Sequence, residues 1–124
     1  MRGCKANGCR IIATGEMGIG NTTTSAAMAA AMLRCDVATV TGRGAGLNDS
    51  GLERKIRVIE SAIEKYDLYN KDTFEILMTV GGLDIAGLVG VCIGGALYHI
   101  PVVLDGVISM VSALAAERLL SGVT

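Results

Sequence analysis

The chain has 124 residues, one domain's worth, with 51% hydrophobic residues, 3% aromatic residues and a formal net charge of −1. It has no basic tract and almost no aromatic platform, which argues against nucleic-acid binding. Its longest apolar run, residues 85–98, is shorter than the ~20 residues of a membrane-spanning helix.

With so few aromatic residues, the core must be built from Ala, Val, Ile, Leu and Met. These pack around 17 glycines, a glycine content roughly twice the usual ~7%. Cys4, Cys9, Cys35 and Cys92 form no Cys-x-x-Cys pair. That pattern points to reduced thiols in a cytoplasmic protein and away from a metal centre.

In chain order, residues 1–8 read as the tail of a helix closed by Asn7-Gly8. Residues 11–14 are predicted as a short buried strand, followed by the glycine-rich stretch Gly15-Glu16-Met17-Gly18-Ile19-Gly20-Asn21-Thr22-Thr23-Thr24. An alanine-rich helix is expected over 25–33. Residues 34–40 fit either a short helix or a brief strand, and a second glycine loop covers 41–51.

Leu52, Ile56, Ile59 and Ile63 recur on one face of a predicted helix over 52–66. After a polar connector, residues 73–80 read as a short helix stopped by Gly81-Gly82. A helix capped by Asp84 then runs to about His99. It contains Gly87, Gly90, Gly94 and Gly95, each costing ~1 kcal/mol relative to Ala, so close backbone packing is expected there. Pro101 opens a strand over 101–104, Asp105-Gly106 ends it, and residues 107–120 form the closing helix.

Short apolar strands alternating with helices define an α/β class: part of a Rossmann-like parallel sheet with helices on both faces. Two clear strands are too few for a complete sheet. The expected remedy is two more short strands, for instance near Ala38–Val40, or strands from sequence outside this incomplete domain. Residues 1–124 are read as a single nucleotide-binding core.

Strand, glycine turn and helix together make an anion site, because helix N-termini present unpaired N–H groups and about half a positive charge. The spacing from Gly15 to Gly20-Asn21-Thr22 nearly matches a nucleoside-triphosphate loop, but Asn21 stands where that loop needs lysine. A single phosphate needs less positive charge and fits better.

Glu16 would repel an anion, so it is read as facing a developing positive charge or a proton. Asp105 lies past the end of a strand, where ligands bind in open α/β sheets, or else it caps the following helix. Arg43, flanked by glycines, has the reach for a phosphate. Arg54, Lys55 and Arg57, by contrast, read from the residues alone as a solvated helix face. His99 reads as a helix-end residue.

Four blocks in one order carry a resemblance: Gly-Glu-Met-Gly-Ile-Gly-Asn-Thr-Thr at 15–23, Gly-Arg-Gly-Ala-Gly-Leu-Asn-Asp at 42–49, Val-Gly-Gly-Leu-Asp-Ile-Ala at 80–86 and Ile-Pro-Val-Val-Leu-Asp-Gly at 100–106. Together they resemble the nicotinate mononucleotide:dimethylbenzimidazole phosphoribosyltransferases, which make the α-riboside of the cobalamin lower ligand. Those enzymes are homodimers roughly three times this length, against the ~100–150 residues of a typical domain. The chain looks like their central part.

The resemblance implies that Glu16, Gly18, Gly20, Asn21, Thr22 and Thr23 line the nicotinate mononucleotide site. Gly44, Gly46 and Leu47 would form a second wall, Lys55 would neutralise the phosphate, and Asp105 with Gly106 would close the floor. It implies no metal and no cofactor.

The family's general base is a glutamate in a later Gly-Glu-Gly-Ser-Gly type segment, which nothing after Gly106 matches, so the chain alone is expected to be inactive. Glu16 keeps a supporting role. Two other classes compete: a nucleotide-binding regulatory module with a degenerate phosphate loop, and a non-catalytic self-association scaffold.

Overall fold

The computed structural model describes residues 1–124. In chain order the elements are α1 (Arg2–Ala6), β1 (Ile12–Ala13), α2 (Thr22–Leu33), α3 (Val37–Val40), α4 (Asp49–Tyr66), a 3-10 turn (Leu68–Asn70), α5 (Thr73–Val80), α6 (Leu83–Tyr98), β2 (Val102–Val103) and α7 (Val107–Leu119). The chain divides into two units, Met1–Glu16 with Leu83–Thr124, and Met17–Gly82.

In the first unit β1 and β2 pair in parallel, Ile12 opposite Val102 and Ala13 opposite Val103. Backbone bonds extend the pairing at both ends, from Ile12 N to Pro101 O (3.0 Å) and from Thr14 N to Val103 O (2.9 Å). The core here is Ile85, Val89 and Cys92 of α6, Ile100, and Ile108, Val111, Ala115 and Ala116 of α7.

The glycines of α6 divide by what surrounds them. A Cβ on Gly95 would stand 2.6 Å from Val102 Cγ2 and 2.9 Å from Ile100 O, so the helix lies against β2 only because that position has no side chain. At Gly94 the neighbour is Met1 Cγ, and at Gly87 and Gly90 there is open space.

A carboxylate ties down the end of this unit. Glu117 of α7 accepts hydrogen bonds from the backbone amides of Gly122 (2.9 Å), Val123 (2.8 Å) and Thr124 (2.9 Å). These bonds hold its pKa below the ordinary 4.5. A depressed carboxylate pKa means the folded state binds fewer protons, so this stabilisation is full above pH 4.5 and fades as pH falls through the folded value. Acid titration followed by thermal melting should show Glu117→Gln less stable than the native chain at neutral pH, with the gap closing as pH falls below 4.5.

In the second unit α2 is the centre. Met28, Ala30, Ala31 and Met32 are at most 3% exposed, and α3, α4, α5 and the 3-10 turn pack against this helix. Small alanine side chains allow that many neighbours to approach one helix. Asn48 caps α4 by accepting from Gly51 N at 2.9 Å, so this helix starts three residues before its apolar periodicity does. Asp72 and Glu75 form a reciprocal capping box at α5, which spans the predicted 73–80.

Of the two readings left open for residues 34–40, the structure takes the short helix, α3, so no further strand forms near Ala38–Val40. Asp36 accepts from Ala38 N, and the Thr41 hydroxyl donates to Val37 O at 2.7 Å. Local side-chain caps outweigh β-branched composition over four residues. The structure is mostly helical, with a parallel sheet of two strands, and the α/β class holds. No helix is long and apolar enough to cross a membrane.

Candidate functional site

The second unit contains a lysine that is buried without a counter-ion. Lys55 is 7% exposed. Its ammonium donates to Thr22 Oγ1 at 2.9 Å and to Gly42 O at 3.0 Å, both neutral acceptors. Burial pushes its pKa below the ordinary 10.5. The solvated-face reading of Lys55 is therefore corrected. Lys55 shares with Ile59 and Ile63 the face of α4 that packs on α2, and four methylenes carry its charge to the first turn of α2.

Thr22 is the first residue of α2, so the ammonium sits at the N-terminus of a 12-residue helix. The positive end of the helix dipole and a buried cation at one place favour an anion. Gly44 completes this corner. Its φ is +57°, and a Cβ there would lie 3.1 Å from Thr22 Oγ1 and 3.8 Å from Lys55 Nζ. Only glycine lets the second loop come this close. Asn21, 6% exposed, occupies the N-cap of the same helix, and its backbone carbonyl accepts from the Thr24 hydroxyl at 2.9 Å. Gly18 and Gly20 take φ of +76° and +79°.

Thr23, Gly46 and Leu47 make no hydrogen bond to this corner, but Leu47 shapes the second loop. The Arg43 guanidinium donates to Leu47 O at 2.9 Å and pairs with Asp49. Arg43, expected to reach for a phosphate, is thereby occupied in closing its own loop.

In the first unit the predicted residues gather around Asp105, whose carboxylate accepts from Thr14 Oγ1 at 3.0 Å and from the backbone amide of Glu16 at 2.8 Å. The Glu16 amide, the Ser109 hydroxyl and the Thr14 hydroxyl, in that order, hold its pKa down at about 2. Gly106 N donates to Ser109 Oγ at 3.1 Å, which fastens the start of α7. Thr14 and Ser109 escaped the sequence reading. The strand register was the available signal for Thr14, since parallel strands bring the residues after Ala13 and Val103 together.

A separate cavity of about 570 Å³ in this unit is lined by Cys92, Gly95, His99, Pro101, Leu104 and Val123, among others. It contains none of the predicted site residues and no cluster of ionisable groups. No group of His, Cys, Asp and Glu is placed to hold a metal.

A buried cation at a helix N-terminus, next to a glycine-shaped loop, is an arrangement that favours an anion. The model of one phosphoribosyltransferase family matches residues 1–124, and the chain belongs to that family. Among its relatives, the nicotinate-nucleotide–dimethylbenzimidazole phosphoribosyltransferase of Clostridium perfringens (strain 13 / Type A) is 47% identical over 115 residues, covering 93% of this chain and 32% of the relative. The enzyme of that name from Roseiflexus castenholzii is 51% identical over 111 residues, 90% of this chain and 31% of its own.

The crystal structure of CobT from Thermus thermophilus superposes with a TM-score of 0.90 at 34% identity, over 98% of this chain and 36% of that one. The chain thus spans about one third of the length of these relatives.

Proposed function

We propose that this chain is the nucleotide-binding part of an enzyme that transfers phosphoribose from nicotinate mononucleotide to dimethylbenzimidazole. The supporting observation is Lys55: a buried ammonium with two neutral acceptors and no carboxylate, at the head of α2. Such a charge is costly unless an anion joins it. The substrate's single phosphate supplies that anion, held by Lys55, by the Thr22 and Thr23 hydroxyls, and by N–H groups between Gly18 and Thr23. Gly44, Gly46 and Leu47 form the adjoining wall. Asp105 and Gly106 belong to the strand-end floor, and Glu16 is the supporting carboxylate for the sugar.

In the reaction, a benzimidazole nitrogen bonds to ribose C1 while the C1–nicotinate bond breaks and its electron pair returns to the pyridine nitrogen. The anomeric centre inverts from β to α, and a glutamate outside these residues takes the benzimidazole's second ring proton. Catalysis of this kind is positioning plus stabilisation of an oxocarbenium-like centre, which calls for no metal or cofactor. A cytoplasmic homodimer accompanies this reading through the family resemblance, and the chain alone is expected to be inactive.

Calorimetry tests the reading directly. The chain should bind nicotinate mononucleotide without Mg²⁺. Binding of ATP or GTP that depends on Mg²⁺ would support the regulatory-module reading. A stable oligomer that ignores millimolar mononucleotide would support the scaffold reading.

A further inference from the structure

We infer that Asp105 is a positioning residue, which acts by holding Thr14 and the backbone of Glu16 where the first strand opens into the glycine loop. The inference rests on the functional reading above and gives Asp105 a definite task within it.

The geometry begins with the sheet. Ile12 lies opposite Val102 and Ala13 opposite Val103. Carried two residues further, that register sets Asp105 opposite Gly15, so its carboxylate reaches the residue on either side. Oδ1 accepts from the Thr14 hydroxyl at 3.0 Å and Oδ2 from the Glu16 amide at 2.8 Å. The Thr14 hydroxyl also lies 3.1 Å from Val103 O, a second acceptor at the end of β2. Ser109 and Gly106 bond reciprocally, at 3.1 and 2.8 Å, and fix the stretch that follows Asp105. The first residue of the glycine loop with a side chain is therefore pinned at its N–H, 89 positions away in sequence.

Holding suits this carboxylate better than contact with substrate. Nicotinate mononucleotide is a net anion, its phosphate and carboxylate together outweighing the one positive charge of the pyridinium, so a direct approach by Asp105 would be repulsive overall. Hydrogen bonds from a backbone N–H to an ionised acceptor are among the stronger ones, and this one orders a turn that otherwise has glycine at residue 15.

Asparagine separates holding from charge. Its amide oxygen can accept from the Glu16 N–H while its NH₂ donates to Thr14 Oγ1, whose own proton turns to Val103 O. Asp105→Asn keeps the hold and loses the charge, and Asp105→Ala loses both.

The test measures transferase kinetics on the full-length protein containing this chain, alongside the NMR shift of the Glu16 amide proton. Asp105→Ala should lower kcat about 100-fold, the scale of a displaced catalytic group, with KM for nicotinate mononucleotide much less affected and the Glu16 amide proton moved upfield. Asp105→Asn should keep the downfield amide proton and return kcat to within about tenfold of the native value, a residual of about 1.4 kcal/mol.

Native kcat in Asp105→Ala would overturn the inference, as would an Asn variant as impaired as the Ala variant. If Asp105→Ala does not fold, Asp105→Asn decides alone: a retained amide shift with near-native kcat supports holding, and a retained shift with lost kcat overturns it. A native protein that neither binds nicotinate mononucleotide nor turns it over refutes the functional reading instead, because the amide shift needs no substrate.

Discussion

Replacing Lys55 by Met should weaken nicotinate mononucleotide binding by about 10- to 100-fold while leaving the melting temperature unchanged or raised. The first part follows from the ~1.5–3 kcal/mol of a hydrogen bond to a charged group. The second follows from burial. Lys55 is 7% exposed, and its ammonium donates to Thr22 Oγ1 and Gly42 O, both neutral. No opposite charge offsets its desolvation, and Met fills a similar volume without that cost.

The pH dependence has a definite sign. Lys55 has a folded pKa below its ordinary 10.5, so between the two values the unfolded chain binds more protons. Stability should rise with pH across that window, and the rise should be absent in Lys55→Met. Calorimetric titration at neutral pH and melting curves between pH 7 and 10.5 check both parts. Unchanged affinity in Lys55→Met would remove this lysine from the substrate site.

The second large effect is on packing. Gly95→Ala should destabilise the first unit by about 1–3 kcal/mol, the usual cost of overpacking, because the new methyl would meet Val102 Cγ2 at 2.6 Å and the Ile100 carbonyl at 2.9 Å. Backbone at that distance cannot rotate away. The helix would have to lift from β2, the strand that carries Asp105 at its end.

Gly87→Ala, eight residues earlier on the same helix, meets nothing within 4 Å. It should stabilise by about 0.5–1 kcal/mol through helix propensity alone. Denaturant unfolding of the two variants in parallel separates these causes. The same substitution with opposite expected signs at two places on one helix is a stricter check than either variant alone, and a destabilised Gly87→Ala would show that helix propensity does not govern that face.

Much of the local structure was legible in the residues. The helix over 73–80 has its expected bounds. The helix expected over 107–120, both strands and the end of α1 lie within a few residues of where glycine, proline, caps and apolar spacing put them, although β1, expected to be buried, is half-buried at Ile12 and exposed at Ala13. Those signals work within a few residues of one another. Boundaries moved where a cap lay further out than the apolar pattern: α4 begins at Asp49 because Asn48 caps it, and α2 begins at Thr22 rather than Ser25. The stretch 34–40 was ambiguous because so short a run carries too little periodicity to choose between helix and strand, and the Asp36 cap decided it for Val37–Val40.

By itself the sequence determined the α/β class, the order of the elements, the two glycine loops and the family. Each is written in short-range patterns or in the serial order of its blocks. Only the tertiary structure decided what the charged residues do. Lys55 moves from a solvated face to a buried contact 33 positions away, and Arg43 turns to its own loop. Asp105 reaches back 91 and 89 positions to Thr14 and Glu16. The physical reason is that a side chain's charge state and partners depend on which distant segments exclude water from it, and no local pattern encodes that exclusion.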